Sequence, residues 1–231
     1  KIMSNDNQTY DPLNCECINT FKAVINQTQC LFAKNSVSWG SFDWNDNLSL
    51  EENVQNSIPM LKVFCQENEK EKTKDFRPPD NFIFEIRGKD YSDTMEHFCE
   101  TVYRVLKILS DNDPKGYRAM DSPKVGQVYN GWNFHWNGLN MFLVTFAPFY
   151  EETSPRYQFG IKDSCYILMQ GEHTFGRVKL GAFGEGGMRD LIKNNFENHH
   201  RPFNTKLLPL VIKPANEFSN EPIPDWCHKK S

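Results

Sequence analysis

Residues 131–175 read GWNFHWNGLNMFLVTFAPFYEETSPRYQFGIKDSCYILMQGEHTF, and this stretch decides the fold. Trp132, Phe134 and Trp136 alternate with Asn133 and His135, the two-residue period of a strand with one packed face. Asn137-Gly138 comes next, a pair that tolerates positive φ, and then the apolar run LNMFLVTF. Together they predict a β-hairpin over residues 132–146. A polar loop with one arginine, Arg156, separates the hairpin from a further apolar strand over 164–169 and a polar exit carrying His173.

Upstream of the hairpin, Phe82–Arg87 (FIFEIR) alternates as a strand after the breakers Pro78-Pro79. Ser92 is the expected cap of the strongest helix, in which Met95, Phe98, Cys99, Val102, Val105, Leu106 and Leu109 recur at three- and four-residue spacing. His97 lies on the opposite stripe beside Glu100 and Arg104 and reads as a surface residue. Ser49-Leu50-Glu51-Glu52 is a helix start, and Pro59 is expected to begin a second, separate helix. Between Cys17 and Ala33 the apolar spacing predicts a helix, a short polar break, and a buried segment opening on Cys30. The stretch NSVSWGSFDWNDN reads as loop. Downstream, the cluster Gly181, Gly184, Gly186 and Gly187 matches neither phosphate-binding pattern and reads as a loop leading into a helix from Met188 to Asn198. His199-His200-Arg201 then reads as a basic patch at the helix end, and the proline-punctuated tail as a surface wrap.

The chain has 231 residues, which suits one domain with a substantial core. We expect a polar N-terminal arm over 1–14 and one α+β domain over 15–231. Its sheet is expected to be mainly antiparallel, with the hairpin at its centre and amphipathic helices packed on it. Eighteen phenylalanines and five tryptophans suit either a deep apolar pocket or a packed core. A net charge of −4 argues against a nucleic-acid surface, and the absence of a long apolar run against a membrane span. Seven cysteines are scattered, with only Cys15 and Cys17 close together and no CxxC pair, so a reducing, cytoplasmic location is expected. On the same ground the sequons at Asn7, Asn26 and Asn47 carry little weight.

An ordered set of short motifs then stands out. Cys30-Leu31-Phe32-Ala33, Trp132-x-Phe134 through Gly138, Met141-Phe142, the group Pro148, Tyr150, Ser154 and Arg156, and an apolar strand ending in Gln170 before Phe175 resemble the YqcI/YcgG family over residues 30–175. Two departures are visible: Gln170-Gly171-Glu172-His173 stands where the family has Gln-Pro-Arg, and its Ser-Arg dipeptide is opened here to Ser154-Pro155-Arg156. The resemblance implies a haem b protein that hydroxylates a guanidine nitrogen of L-arginine or a related compound. It also implies O₂ and an external electron donor, a ferredoxin or a reductase, since the chain carries no flavin, nicotinamide or iron–sulfur motif.

That chemistry needs an axial iron ligand, a dry pocket and charged groups for substrate and cofactor. Cys30 is the expected ligand, with His173 and His135 as rivals and a plain structural thiol as the alternative. Phe32, Trp132 and Phe134 are expected to line the cofactor. Arg156 is expected to grip a carboxylate, of the haem or of the substrate, although an ion pair with Glu151 or Glu152 would serve as well. Glu172 is the expected acid for the substrate's guanidinium. A non-catalytic haem sensor or carrier and a haem-free small-ligand domain remain the alternatives.

Overall fold

The computed structural model of the chain describes residues 2–3, 9–70, 73, 75–122, 134–174 and 187–202. A short antiparallel pair, β1 (Ile2–Met3) and β2 (Thr9–Tyr10), leads into α1 (Glu16–Gln27). Then come β3 (Ser38–Gly40), α2 (Leu50–Glu69), β4 (Asn81–Arg87) and α3 (Met95–Asp111). The hairpin β5 (Phe134–Trp136) and β6 (Leu139–Phe146) follows, then β7 (Ser164–Gly171) and α4 (Met188–Asn198). Strands β3 to β7 form a five-stranded sheet in the order β3-β4-β7-β6-β5. All its pairings are antiparallel except β3 with β4, so the domain is α+β. The hairpin forms as expected but builds one edge of the sheet; β4, β7 and β6 are its centre.

Side-chain alternation divides the sheet into two packed faces. Phe82, Phe84 and Ile86 of β4, Cys165, Ile167 and Met169 of β7, Met141 and Leu143 of β6, and Phe134 and Trp136 of β5 point to α2 and α3 and form the main core. The Trp136 indole N–H donates to the Leu109 carbonyl at 2.7 Å, which satisfies its one polar atom inside that core. Ile83, Val144, Phe146 and Tyr166 face the other way, where Cys17, Ile18, Phe21 and Val24 of α1 cover them. Phe21 meets Phe146 and Tyr166 with ring centroids 5.2 and 4.8 Å apart. On this second face the buried Glu85 carboxylate accepts from Ser164 Oγ at 2.7 Å and Thr20 Oγ1 at 3.2 Å, and Arg87 lies 3.4 Å away. A charge taken out of water is held by such donors.

Four local expectations are corrected. Pro59 does not start a helix; α2 runs through it, closed at its start by a capping box in which Ser49 and Glu52 exchange hydrogen bonds. Pro59 and Gln55, whose carbonyl loses its helical partner, both lie on the exposed side, while Val54, Ile58 and Leu61 are buried. The orphan carbonyl lies on the solvent side and packing of the buried face holds the helix together. Thr94, not Ser92, caps α3, accepting from the His97 N–H at 3.2 Å; Ser92 is buried at the end of the turn before it. Ser38–Gly40, inside the stretch read as loop, pairs with Asn81–Ile83 as a parallel strand. The segment opening on Cys30 is not buried: Cys30 and Phe32 are half-buried and Leu31 is exposed. Both sheet faces above it are already covered, so the apolar CLFA run turns along the surface. The glycine cluster from Gly181 to Gly186 and the tail beyond 202 lie outside the described residues.

Candidate functional site

The turn of the hairpin sets up an unusual histidine. Asn137 and Gly138 both have positive φ, 45° and 89°, so the two strands join through a two-residue turn whose twist matches theirs. That register puts His135 directly opposite Asn140. Asn140 Oδ1 lies 2.8 Å from His135 Nδ1, so Nδ1 carries the proton and Nε2 the lone pair. Nε2 is buried and has no hydrogen-bond partner. The Tyr117 ring stacks on the imidazole with centroids 3.8 Å apart and an interplanar angle of 33°. A buried acceptor left without a donor costs about 1–3 kcal/mol, and such an atom is where a ligand is looked for. An imidazole held by Nδ1–H on an oxygen, with Nε2 open, is also the arrangement that orients a metal-binding histidine.

The neighbouring strand brings an acid to the same end. The Glu172 N–H donates to the Asn140 carbonyl at 2.9 Å, which continues the β6–β7 ladder by one residue beyond Met141 and Gly171. Glu172 is half-buried there. Phe142, Leu168 and Gln170, further along the same face, are also only half-buried, in contrast to the closed core on the opposite face.

A second locus lies at the far end of β6. Arg156 stands in the polar loop after β6, its N–H donating to Ser154 Oγ at 3.0 Å, and the residue is only 9 % exposed. Its guanidinium carbon lies 5.6 Å from the Phe146 ring centre. Burial pushes the Arg156 guanidinium down to about 10, with nearby Tyr150 and Cys30 opposing, so the group is still cationic at neutral pH. Cys30 and Arg156 thus belong to one locus. Two loops meet at this locus, and the end of α4 ties them: Asn195 Nδ2 donates to the Gln29 carbonyl at 2.5 Å and Arg201 Nη1 to Gln29 Oε1 at 2.8 Å. Arg201 Nε also donates to the Glu152 carbonyl at 2.6 Å, and the guanidinium stacks over Phe159 at 4.8 Å. The basic residue read as a terminal patch is therefore a clamp.

The two loci are not one site. Asn140 and Phe146 are six residues apart on β6, about 20 Å at strand rise, which exceeds the reach of a porphyrin from its iron to its carboxylates. His135 and Glu172 belong to one end and Cys30, Phe32 and Arg156 to the other. Phe134 is 1 % exposed and packs into the α2–α3 core, so it lines neither. His173 turns toward α2, where its Nε2 meets Asn68 Oδ1 at 3.0 Å. Trp132 lies outside the described residues. Asn140 and Tyr117 are site residues that sequence reasoning misses. Asn140 had a signal, an amide in an apolar strand at the register position facing His135; Tyr117 had none, because its contact is long-range.

A sequence model of the YqcI/YcgG family matches residues 21–208. The chain belongs to the YqcI/YcgG family. No curated protein and no solved structure matches it. The matched YqcI/YcgG region contains the whole five-stranded sheet and both loci at the ends of β6. Among the described residues no three His, Cys, Asp or Glu side chains converge to hold a bare metal ion, and no helix is long and apolar enough to cross a membrane. A porphyrin brings four nitrogens of its own and asks the protein for only one or two.

Proposed function

We propose that this protein is a haem-dependent N-oxygenase acting on a guanidine nitrogen of L-arginine or a related guanidino compound, with His135 as the iron's protein ligand. The reaction class is what the resemblance to the YqcI/YcgG family implies, and the chain's membership of that family is the ground for carrying it over. The observation that carries the choice of residue is the buried, unpartnered Nε2 of an imidazole whose Nδ1–H is fixed by Asn140. Haem b, when bound, supplies activation of O₂ with electrons from a ferredoxin or reductase. The chain's own residues do the rest. Asn140 holds the tautomer that leaves the lone pair on the buried Nε2. Tyr117 covers one face of the ring and keeps water from it. Glu172, pinned beside Asn140 by its backbone, brings a carboxylate to the same end of the sheet, the group a guanidinium is recognised by.

A second reading places the iron on Cys30. Its support is Arg156, a buried cation at the same locus as the half-buried Cys30. In that reading Arg156 serves the haem carboxylates and Phe32 lines the cofactor. Expression with ample haem, followed by an absorption spectrum and O₂ uptake on adding arginine and reductant, tests the function. A Soret band with arginine-dependent uptake is expected. A band without uptake leaves a haem sensor or carrier, and no band leaves a haem-free ligand domain.

A further inference from the structure

The second face of the sheet carries a row of amides that the haem chemistry leaves unused. Phe82, Phe84 and Ile86 of β4 alternate onto the α2–α3 core, so Asn81 projects to the opposite face with Ile83. Asn81 pairs in register with Ser38 of β3 on one side and with Gln170 of β7 on the other. Gln170 pairs in turn with Phe142 of β6. The next row on this face is Ile83, Leu168 and Val144, all apolar, so the polar groups are confined to the row that Asn81 and Gln170 share.

Asn81 is only 5 % exposed, and its Oδ1 is buried with no hydrogen-bond partner among the described residues. Beside it, Gln170, Phe142 and Leu168 are half-buried, so the row is open to one side. The orientation of the Gln170 amide is settled by its neighbour. The Thr174 hydroxyl spends its one proton on the Gly171 carbonyl at 2.7 Å, so it accepts from Gln170 Nε2, also at 2.7 Å. Gln170 therefore keeps Oε1 as its acceptor. Two amide acceptors stand on register partners of adjacent strands, and that of Asn81 has no donor. A buried acceptor without a donor is unfavourable, and a ligand that brings the proton removes the penalty. An ammonium, with three N–H donors and no acceptor, is the complement of such a pair.

We propose that Asn81 and Gln170 form the subsite for the α-ammonium of a guanidino amino acid, so that the protein selects an amino acid over a guanidine that lacks the amino group. The inference rests on the assignment of Glu172 to the guanidinium and extends it. Glu172 lies one strand across from Asn81 and two residues further along, which sets their Cα atoms about 8 Å apart. In extended arginine the α-nitrogen and the guanidine carbon are about 7 Å apart, six bonds of chain. The ammonium and the guanidinium of one such molecule therefore match the two positions. Phe142, next to Gln170 on β6, offers apolar surface to the methylenes between them. Asn81 and Gln170 are positioning residues: they hold the end of the substrate that does not react.

The test is calorimetric titration of the full chain, expressed with ample haem, with L-arginine, agmatine and γ-guanidinobutyrate. These carry both head groups, the ammonium alone and the carboxylate alone. L-Arginine and agmatine are expected to bind about 10- to 100-fold more tightly than γ-guanidinobutyrate, the worth of hydrogen bonds to a charged group. Asn81→Ala should erase that preference by weakening L-arginine and agmatine while γ-guanidinobutyrate binds as before. Asn81→Asp, which keeps an acceptor, should preserve it. Loss of affinity by one common factor for all three ligands in Asn81→Ala marks a structural role and overturns the proposal. So does an unaltered chain that binds γ-guanidinobutyrate as tightly as L-arginine, a comparison that needs no variant to fold. That result leaves the guanidine chemistry standing, whereas an unaltered chain that binds none of the three removes both.

Discussion

At the scale of single residues, His135 and Asn140 act as one unit. Asn140→Ala removes the acceptor that fixes the imidazole and frees the ring to turn. Loss of such an orienting partner costs metal centres about 10- to 100-fold in affinity, so haem titration of this variant should show a dissociation constant raised by that factor. The same variant, measured by urea denaturation, should lose little stability, because His135 is already only half-buried. Gly40 is the other decisive position. An alanine there meets Cys15 Sγ at 2.3 Å, and relief requires β3 or α1 to move. Gly40→Ala should lower unfolding free energy by about 1–3 kcal/mol, the usual cost of overpacking, read from the urea midpoint.

At the scale of elements, α2 tests how capping and proline balance. Ser49→Ala removes the Oγ that accepts from the Glu52 N–H, keeps the backbone N–H that donates to the Glu52 carboxylate, and should cost about 0.5–2 kcal/mol in the same assay. Pro59→Ala restores the hydrogen bond to the Gln55 carbonyl but frees the unfolded chain. The two effects oppose, and the interior-helix term is the larger, so we expect a gain of about 1–2 kcal/mol. These elements also mark what was legible in the sequence. The stripe of Phe98, Val102, Val105 and Leu109 announces α3, and Asn137-Gly138 announces its turn, because both signals are local. Strand β3 was hidden because three residues in a Ser- and Gly-rich stretch become a strand only through parallel pairing with Asn81–Ile83, over forty positions away. Ser92 and Thr94 offer the same hydroxyl two residues apart, and only the preceding turn, entered through Gly88 at φ 125°, decides which one caps. For the candidate site, His135 and Glu172 could be picked out by type and position. Their separation from Arg156 could not, because it follows from the run of β6 between them.

At the scale of the whole molecule, the sheet is a divider. One face is closed by α2 and α3 around Trp136, Phe64 and Phe98; the other is covered by α1 at the end that carries Phe146 and Tyr166. The hairpin end of that second face, at one edge of the sheet, retains half-buried residues and a histidine whose buried Nε2 has no hydrogen-bond partner among the described residues. The central claim is that this edge holds the haem. Its most direct test is the spectrum of the haem-loaded protein beside those of His135→Ala and Cys30→Ala. The account predicts a histidine-type Soret band that His135→Ala abolishes and Cys30→Ala leaves in place; a thiolate-type band lost only in Cys30→Ala would contradict it.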